Sequence, residues 1–272
     1  MIRDITIGQY YAVDSPVHRL DPRVKLAGTL IYIISLFISA NPLSYIVSGC
    51  FLIFVIHVSR VPARYMMKGL KPIIIILLLS VSINLFMSSG TPVSTLPVLK
   101  NITWEGIQRA CYMAVRLIML ILGSTIMTLT TTPNALTDGL ERGLGFLRVI
   151  HIPVHEMAMM MSIALRFIPI LLDETDKIMK AQMARGADFE SGSLIRKAKA
   201  MVPLLVPLFI SAFRRAADLA LALEARCYHG GDHRTHMKEL KYGRKDVWAY
   251  IILLAYLGAV VLLGIVWRAV GL

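Results

Sequence analysis

Long apolar runs broken by short polar stretches fill the first half of the chain, and the pattern changes after residue 131. Three runs come early, Val24 to Ala40, Leu43 to Val58 and Pro72 to Met87. Each lies near the lower end of the roughly 17–25 residues that cross a bilayer as a helix. The Asn41-Pro42 pair predicts a tight turn between the first two. A fourth run, from about Ile107 to Thr131, contains Arg109 and Arg116, and a fifth extends from Val247 to Val266. The expected architecture is an all-α, polytopic membrane protein with about five transmembrane helices and a cytoplasmic domain of long amphipathic helices. The expected division is 1–131 for spans one to four, 132–246 for the cytoplasmic part and 247–272 for the last span.

Residues 132–246 carry two long helical patterns, His155 to Arg185 and Leu194 to Tyr228. Arg166 and Pro169 interrupt the first. In the second only Met201 to Phe213 is uncharged, where about 20 residues are needed to span. Both therefore read as amphipathic helices at the inner membrane face. In the second, Phe209, Phe213, Ala216, Ala220, Leu223 and Cys227 recur at spacings of four and three, with Arg214, Arg215, Asp218 and Glu224 opposite. That stripe reads as a helix-packing face. The first helix opens with Met157, Met159, Met160 and Met161, unbranched and polarizable side chains suited either to a core or to a surface that accepts several partners.

Both helices close alike, with Ala184-Arg185-Gly186 and with Ala225-Arg226-Cys227, the latter followed by Gly230-Gly231. Arg in a last turn with Gly after it is an ordinary helix end. Two such ends also place a guanidinium at each tip, where it can pair bidentately with a partner's carboxylate.

Composition supports the membrane assignment: 56% of residues are hydrophobic, mean hydropathy is +0.65 and only 17% are charged. The net charge of +12 sits beside apolar spans and not in an aromatic-interleaved patch, so it points to a membrane surface and not to nucleic acid. Of the 29 Lys and Arg residues, 25 fall within 1–25, 59–71 and 132–246. Basic loops stay inside, so the N-terminus is expected in the cytoplasm and the C-terminus outside. The charged first 23 residues, with no apolar core before Val24, predict no cleavable leader. Cys50, Cys111 and Cys227 have no disulfide or metal-site spacing.

Arg116 lies about ten residues into the fourth run, where a charge costs roughly 2.5–3.5 kcal/mol. No Asp or Glu occurs between Val24 and Trp104. Its partner is therefore a backbone carbonyl, Asn84, a hydroxyl or another subunit. We read it as a structural anchor; the alternative is a self-contained permease or channel with Arg116 on the substrate path. No phosphate-binding loop, nucleophile elbow or zinc-binding His pair occurs, so no catalytic residue, metal or cofactor is expected. His229, His233 and His236 with Asp232 form a short cluster that reads as a solvated loop; a membrane-embedded enzyme built on it is a further alternative.

Taken together the motifs resemble the transmembrane component of energy-coupling factor transporters, related to the cobalt-transport permease of the same class. The resemblance rests on Gly8-Gln9-Tyr10, Ser15-Pro16, Leu20-Asp21-Pro22-Arg23, Thr130-Thr131-Thr132-Pro133 with Leu136 and Leu140, and Arg166-Phe167-Ile168-Pro169. It continues through Ala181 to Phe189 and from Arg214-Arg215-Ala216 to Glu224-Ala225-Arg226-Cys227-Tyr228. It implies a multi-pass protein of a prokaryotic cell membrane that binds two ABC ATPase subunits, which hold ATP and magnesium, and a vitamin-binding integral membrane S component. It implies that Arg185 and Arg226 are coupling-helix tips docked into the ATPases, with Cys227 standing where glycine is common. The choice of vitamin or metal would lie in the S component, and the Ala187-Asp188-Phe189 extension leans toward a module shared by several of them.

Overall fold

The computed structural model describes residues 10–39, 41–87, 103–187, 189, 194–230 and 240–270. Gly8, Gln9, Asp188, Asp232, His233 and His236 lie outside the described residues. The helices are α1 (Pro22–Ile38), α2 (Pro42–Ser59), α3 (Ala63–Leu70), α4 (Ile74–Met87), α5 (Trp104–Thr130), α6 (Pro133–Gly143), α7 (Val154–Ala184), α8 (Leu194–Ala225) and α9 (Arg244–Val270). A 3-10 turn, Lys71–Ile73, joins α3 to α4. The starts of these helices are written in the sequence. Proline opens α1 and α2, where its missing N–H has no intrahelical partner to lose. Thr103 caps α5 by accepting the Gly106 N–H at 3.1 Å.

The described residues divide into two compact units, one of 10–139 with 240–270 and one of 140–230. In the first, α1, α2, α5 and α9 pack around Tyr32, Leu36, Tyr45, Leu52, Ile126, Leu129, Tyr256 and Val260. The Tyr256 hydroxyl pairs with Ser35 Oγ at 2.5 Å and Ser48 Oγ at 2.9 Å, so one side chain of α9 is tied to α1 and α2. Such bonds have no water to compete with in an apolar bundle. Gly123 permits the close crossing of α1 and α5, since a Cβ there would stand 2.7 Å from the Tyr32 ring.

The starts of α1 and α9 are clasped together. Asp21 caps α1 by accepting the Arg23 N–H at 2.9 Å. Buried Asp246 accepts the Gly243 N–H at 2.8 Å on one oxygen and the Asp21 N–H at 2.9 Å on the other. Arg23 pairs with Asp21, donates to the Leu240 carbonyl at 3.1 Å and lies over the Tyr242 ring. The Ser15-Pro16 segment is fixed by His18, whose Nε2 donates to the Tyr11 carbonyl and whose Nδ1 therefore accepts from Ser15. Burial lowers the pKa of His18 from its ordinary value, which favours that neutral tautomer.

In the second unit α7 and α8 form an antiparallel hairpin. Gln182 Nε2 donates to the Pro203 carbonyl at 3.3 Å, and Arg215 pairs with Glu174 at 3.0 Å. The first bond has a local cause: Pro207 has no N–H to offer four residues back, so the Pro203 carbonyl takes a side-chain donor instead. His155 Nδ1 lies 2.7 Å from Glu141, which ties α7 to the end of α6.

Two sequence expectations change here. Among the described residues five helical runs are, by length and composition, long and apolar enough to cross a membrane, the number expected, but the set differs: Pro42–Ser59, Ala63–Leu85, Trp104–Thr130, Val154–Ala184 and Arg244–Ala269. The 17-residue α1 is one residue shorter than α2 and stands at the lower end of the roughly 17–25 residues that cross a bilayer. α7 qualifies because residues 155–172 carry only Glu156 and Arg166 as charges, and Pro169 is accommodated inside the helix. The second correction concerns α8. Phe209, Phe213, Ala216, Ala220 and Cys227 are exposed, and Leu223 alone of that stripe is half-buried. The inward face is instead Leu204, Leu208, Ser211, Arg215 and Leu219, because the Arg215–Glu174 pair draws that side toward α7.

Candidate functional site

The two arginine-tipped ends have the same backbone geometry. At the end of α7 the Gly186 N–H bonds to the Met183 carbonyl and the Ala187 N–H to the Gln182 carbonyl, both at 3.0 Å. At the end of α8 the Cys227 N–H bonds to Glu224 at 2.8 Å and the Tyr228 N–H to Leu223 at 3.0 Å. Each is a Schellman end, with the arginine as the last half-helical residue and a left-handed residue after it. Gly186 has φ +88° and Cys227 has φ +54°. Ala184, Arg185, Gly186, Ala225, Arg226 and Cys227 are all exposed.

The hairpin sets the spacing of the tips. Arg185 follows Gln182, which sits at Pro203, whereas Arg226 lies at the far end of α8. At 1.5 Å per residue, about 35 Å of helix separates Pro203 from Arg226. The tips are thus at opposite ends of the hairpin, too far apart to share one binding pocket.

Cys227 adopts a left-handed conformation that costs an L-residue roughly 1–2 kcal/mol and glycine almost nothing. Cys227→Gly is expected to stabilise the chain by about 1 kcal/mol, and Gly186→Ala to destabilise it by a similar amount. Thermal unfolding of the two variants in detergent checks both signs; opposite shifts confirm that the two ends share one geometry.

Met157, Met160 and Met161 are exposed on one face of α7, continued by Ala164 and Ile168, while Met159 is half-buried on another side. On α8, Met201, Val202, Leu205, Val206, Phe209, Ile210 and Phe213 are exposed as well. The hairpin therefore offers apolar side chains over most of its length and arginines at both ends.

Arg116 is held inside the first unit. Its Nε donates to the Tyr45 hydroxyl at 2.9 Å and a terminal nitrogen to the Ser39 carbonyl at 3.3 Å, with the Phe37 and Tyr45 rings within 6 Å. Asn84, the other candidate partner, bonds to the Ser80 carbonyl. His229 Nδ1 bonds to the Cys227 carbonyl at 2.8 Å; the remainder of that cluster is outside the described residues. The residues that sequence reasoning missed are Gln182, Tyr45, Tyr256 and Asp246. Only Asp246 carried a local signal, an acid three residues after Gly243 ahead of an apolar run.

Comparison with known proteins agrees with the motif reading. A family model described as cobalt transport protein, CbiQ, matches residues 14–237. The energy-coupling factor transporter transmembrane protein EcfT of Clostridium kluyveri is 53% identical over 271 residues, covering 98% of this chain and 99% of that protein. The protein of the same name from Bacillus subtilis is 46% identical over 254 residues, covering 93% of this chain and 96% of its own length.

Proposed function

The chain belongs to the family of cobalt transport proteins and energy-coupling factor transporter transmembrane proteins, and from that premise we propose that it is the non-catalytic coupling subunit of such a transporter. It joins two ATPase subunits to a substrate-binding membrane component and passes the movement of the former to the latter. The observation that carries this reading is the pair of exposed arginines in matching Schellman ends, about 35 Å of helix apart. A guanidinium held at a helix end is pre-organised to grip a carboxylate bidentately. Two such ends at that separation suit two partner subunits, one tip to each.

The apolar faces of α7 and α8 are the surface on which the substrate-binding component rests. Methionines at 157, 160 and 161 let that surface repack against partners of different shape. ATP and magnesium are held by the ATPases, and this chain holds no cofactor. When nucleotide biases the ATPase pair toward its closed state, the tips move with it and the hairpin tilts its cargo. The charge distribution supports a cytoplasmic N-terminus and a cytoplasmic hairpin, where the ATPases have their nucleotide. Arg116 is an anchor between α5 and α2 in this reading, its donors directed to internal acceptors.

The test is co-expression of the tagged chain with the two ATPases and one S component, followed by purification and measurement of substrate uptake into vesicles. Recovery of both ATPases with the chain, and uptake that requires ATP, support the reading. Uptake by vesicles holding this chain alone would overturn it in favour of the self-contained permease.

A further inference from the structure

The first unit carries a half-open apolar cavity of about 340 Å³ that none of the steps above uses, a volume within the range of small-ligand sites. It lies where the starts of α1 and α9 meet the ends of α2 and α5, at one end of the four-helix bundle. Val55, Ile126 and Leu253 are among its apolar walls. Its lining also includes two lysines, Lys25 and Lys245, together with Trp248 in the first turns of α9.

We propose that this cavity holds an acyl chain of one anionic phospholipid, its phosphate against Lys245 and Lys25. The proposal rests on the reading that these helices lie in a bilayer, and its commitment to a lipid comes from charge and shape together. Among the described residues neither lysine has a carboxylate within ion-pair distance. The Lys25 ammonium donates to the His18 and Thr130 carbonyls at 3.0 and 2.8 Å, which leaves its third donor for a ligand. Lys245 is exposed. The nearest acids are occupied: Asp14 by Arg19, Asp21 by Arg23, and Asp246 by two backbone N–H groups. Trp248 is 65% exposed, as an amphipathic ring at the headgroup level of a membrane would be. A rim bearing two lysines over an apolar slot matches a phosphate attached to a hydrocarbon tail.

Trp248 supplies its own reporter. In the full-length Trp104→Phe/Trp267→Phe protein in neutral detergent, phosphatidylglycerol with brominated acyl chains is expected to quench Trp248 at roughly tenfold lower concentration than the matching phosphatidylcholine. Native mass spectrometry is expected to find one retained phosphatidylglycerol. Lys245→Glu should reduce the preference to within about twofold while chain binding persists, and Ala249→Phe, which fills the slot without adding a second tryptophan, should remove both. Equal quenching by the two lipids, an unchanged preference in Lys245→Glu, or competition by glycerol 3-phosphate would overturn the proposal. Because the readout needs no ATPase, it stands or falls separately from coupling.

Discussion

Arg185→Glu with Arg226→Glu is expected to abolish uptake and to strip both ATPase subunits from the purified chain. Reversing a charge that faces a desolvated carboxylate costs on the order of 2–5 kcal/mol at each contact, and each 1.4 kcal/mol is tenfold in affinity. Either single reversal should therefore weaken one contact by about thirtyfold or more. The double reversal should drop below detection. Misfolding is a poor explanation for such a loss, since both side chains are exposed and an unfavourable charge at a helix end costs only about 0.3–1 kcal/mol. Arg185→Lys with Arg226→Lys gives the finer reading. It keeps the charge and removes the planar fork, so partial recovery of ATPase binding separates bidentate pairing from simple attraction. Wild-type recovery of both ATPases and normal uptake by the double reversal would reduce the two arginines to ordinary helix ends.

The apolar runs made most of the helices legible. α2 runs Pro42–Ser59 against an expected Leu43 to Val58, since proline and polar residues punctuate both ends. The tips were legible as triplets, though not as matching backbone motifs, because nothing in Ala225-Arg226-Cys227 shows that a cysteine takes a left-handed conformation. The outward face of α8 was not legible. Met201 to Phe213 is apolar on nearly all sides, so a period of 3.6 fits more than one stripe. The choice is made by Arg215, which meets Glu174 of α7 and so turns Phe209 and Phe213 outward. A pairing between residues 41 positions apart leaves no trace in the pattern of either helix. α7 has the length and apolar content of a span despite one arginine and one proline, because the 18 residues 155–172 carry only one other charge, Glu156. Arg116 was left with several possible partners, and it takes a tyrosine hydroxyl and a carbonyl from residues more than 70 positions away.

Asp246→Ala is expected to destabilise the chain by about 3 kcal/mol, although Asp246 touches neither helix tip. Its carboxylate is 5% exposed and satisfies two backbone donors, Gly243 N–H at the start of α9 and Asp21 N–H at the start of α1. Helix starts leave N–H groups without intrahelical partners, and here one acid serves two of them. Removing it leaves both donors short of an acceptor, at roughly 1–3 kcal/mol each. It also removes the link that fixes the first turn of the last helix to the first, where Arg23 and Tyr242 pack against the same corner. Asp246→Asn retains one acceptor oxygen but sets an amide donor against the second N–H, so it should lose about half as much. For a chain of this size each 1 kcal/mol shifts the melting temperature by about 2–4 °C. Loss of monodisperse protein on heating in detergent should thus begin about 6–12 °C earlier for the alanine variant. A melting temperature within about 2 °C of wild type would mean that water replaces the carboxylate and that apolar packing, the Tyr256–Ser35 bond and the Arg23 contacts suffice to hold the two helices.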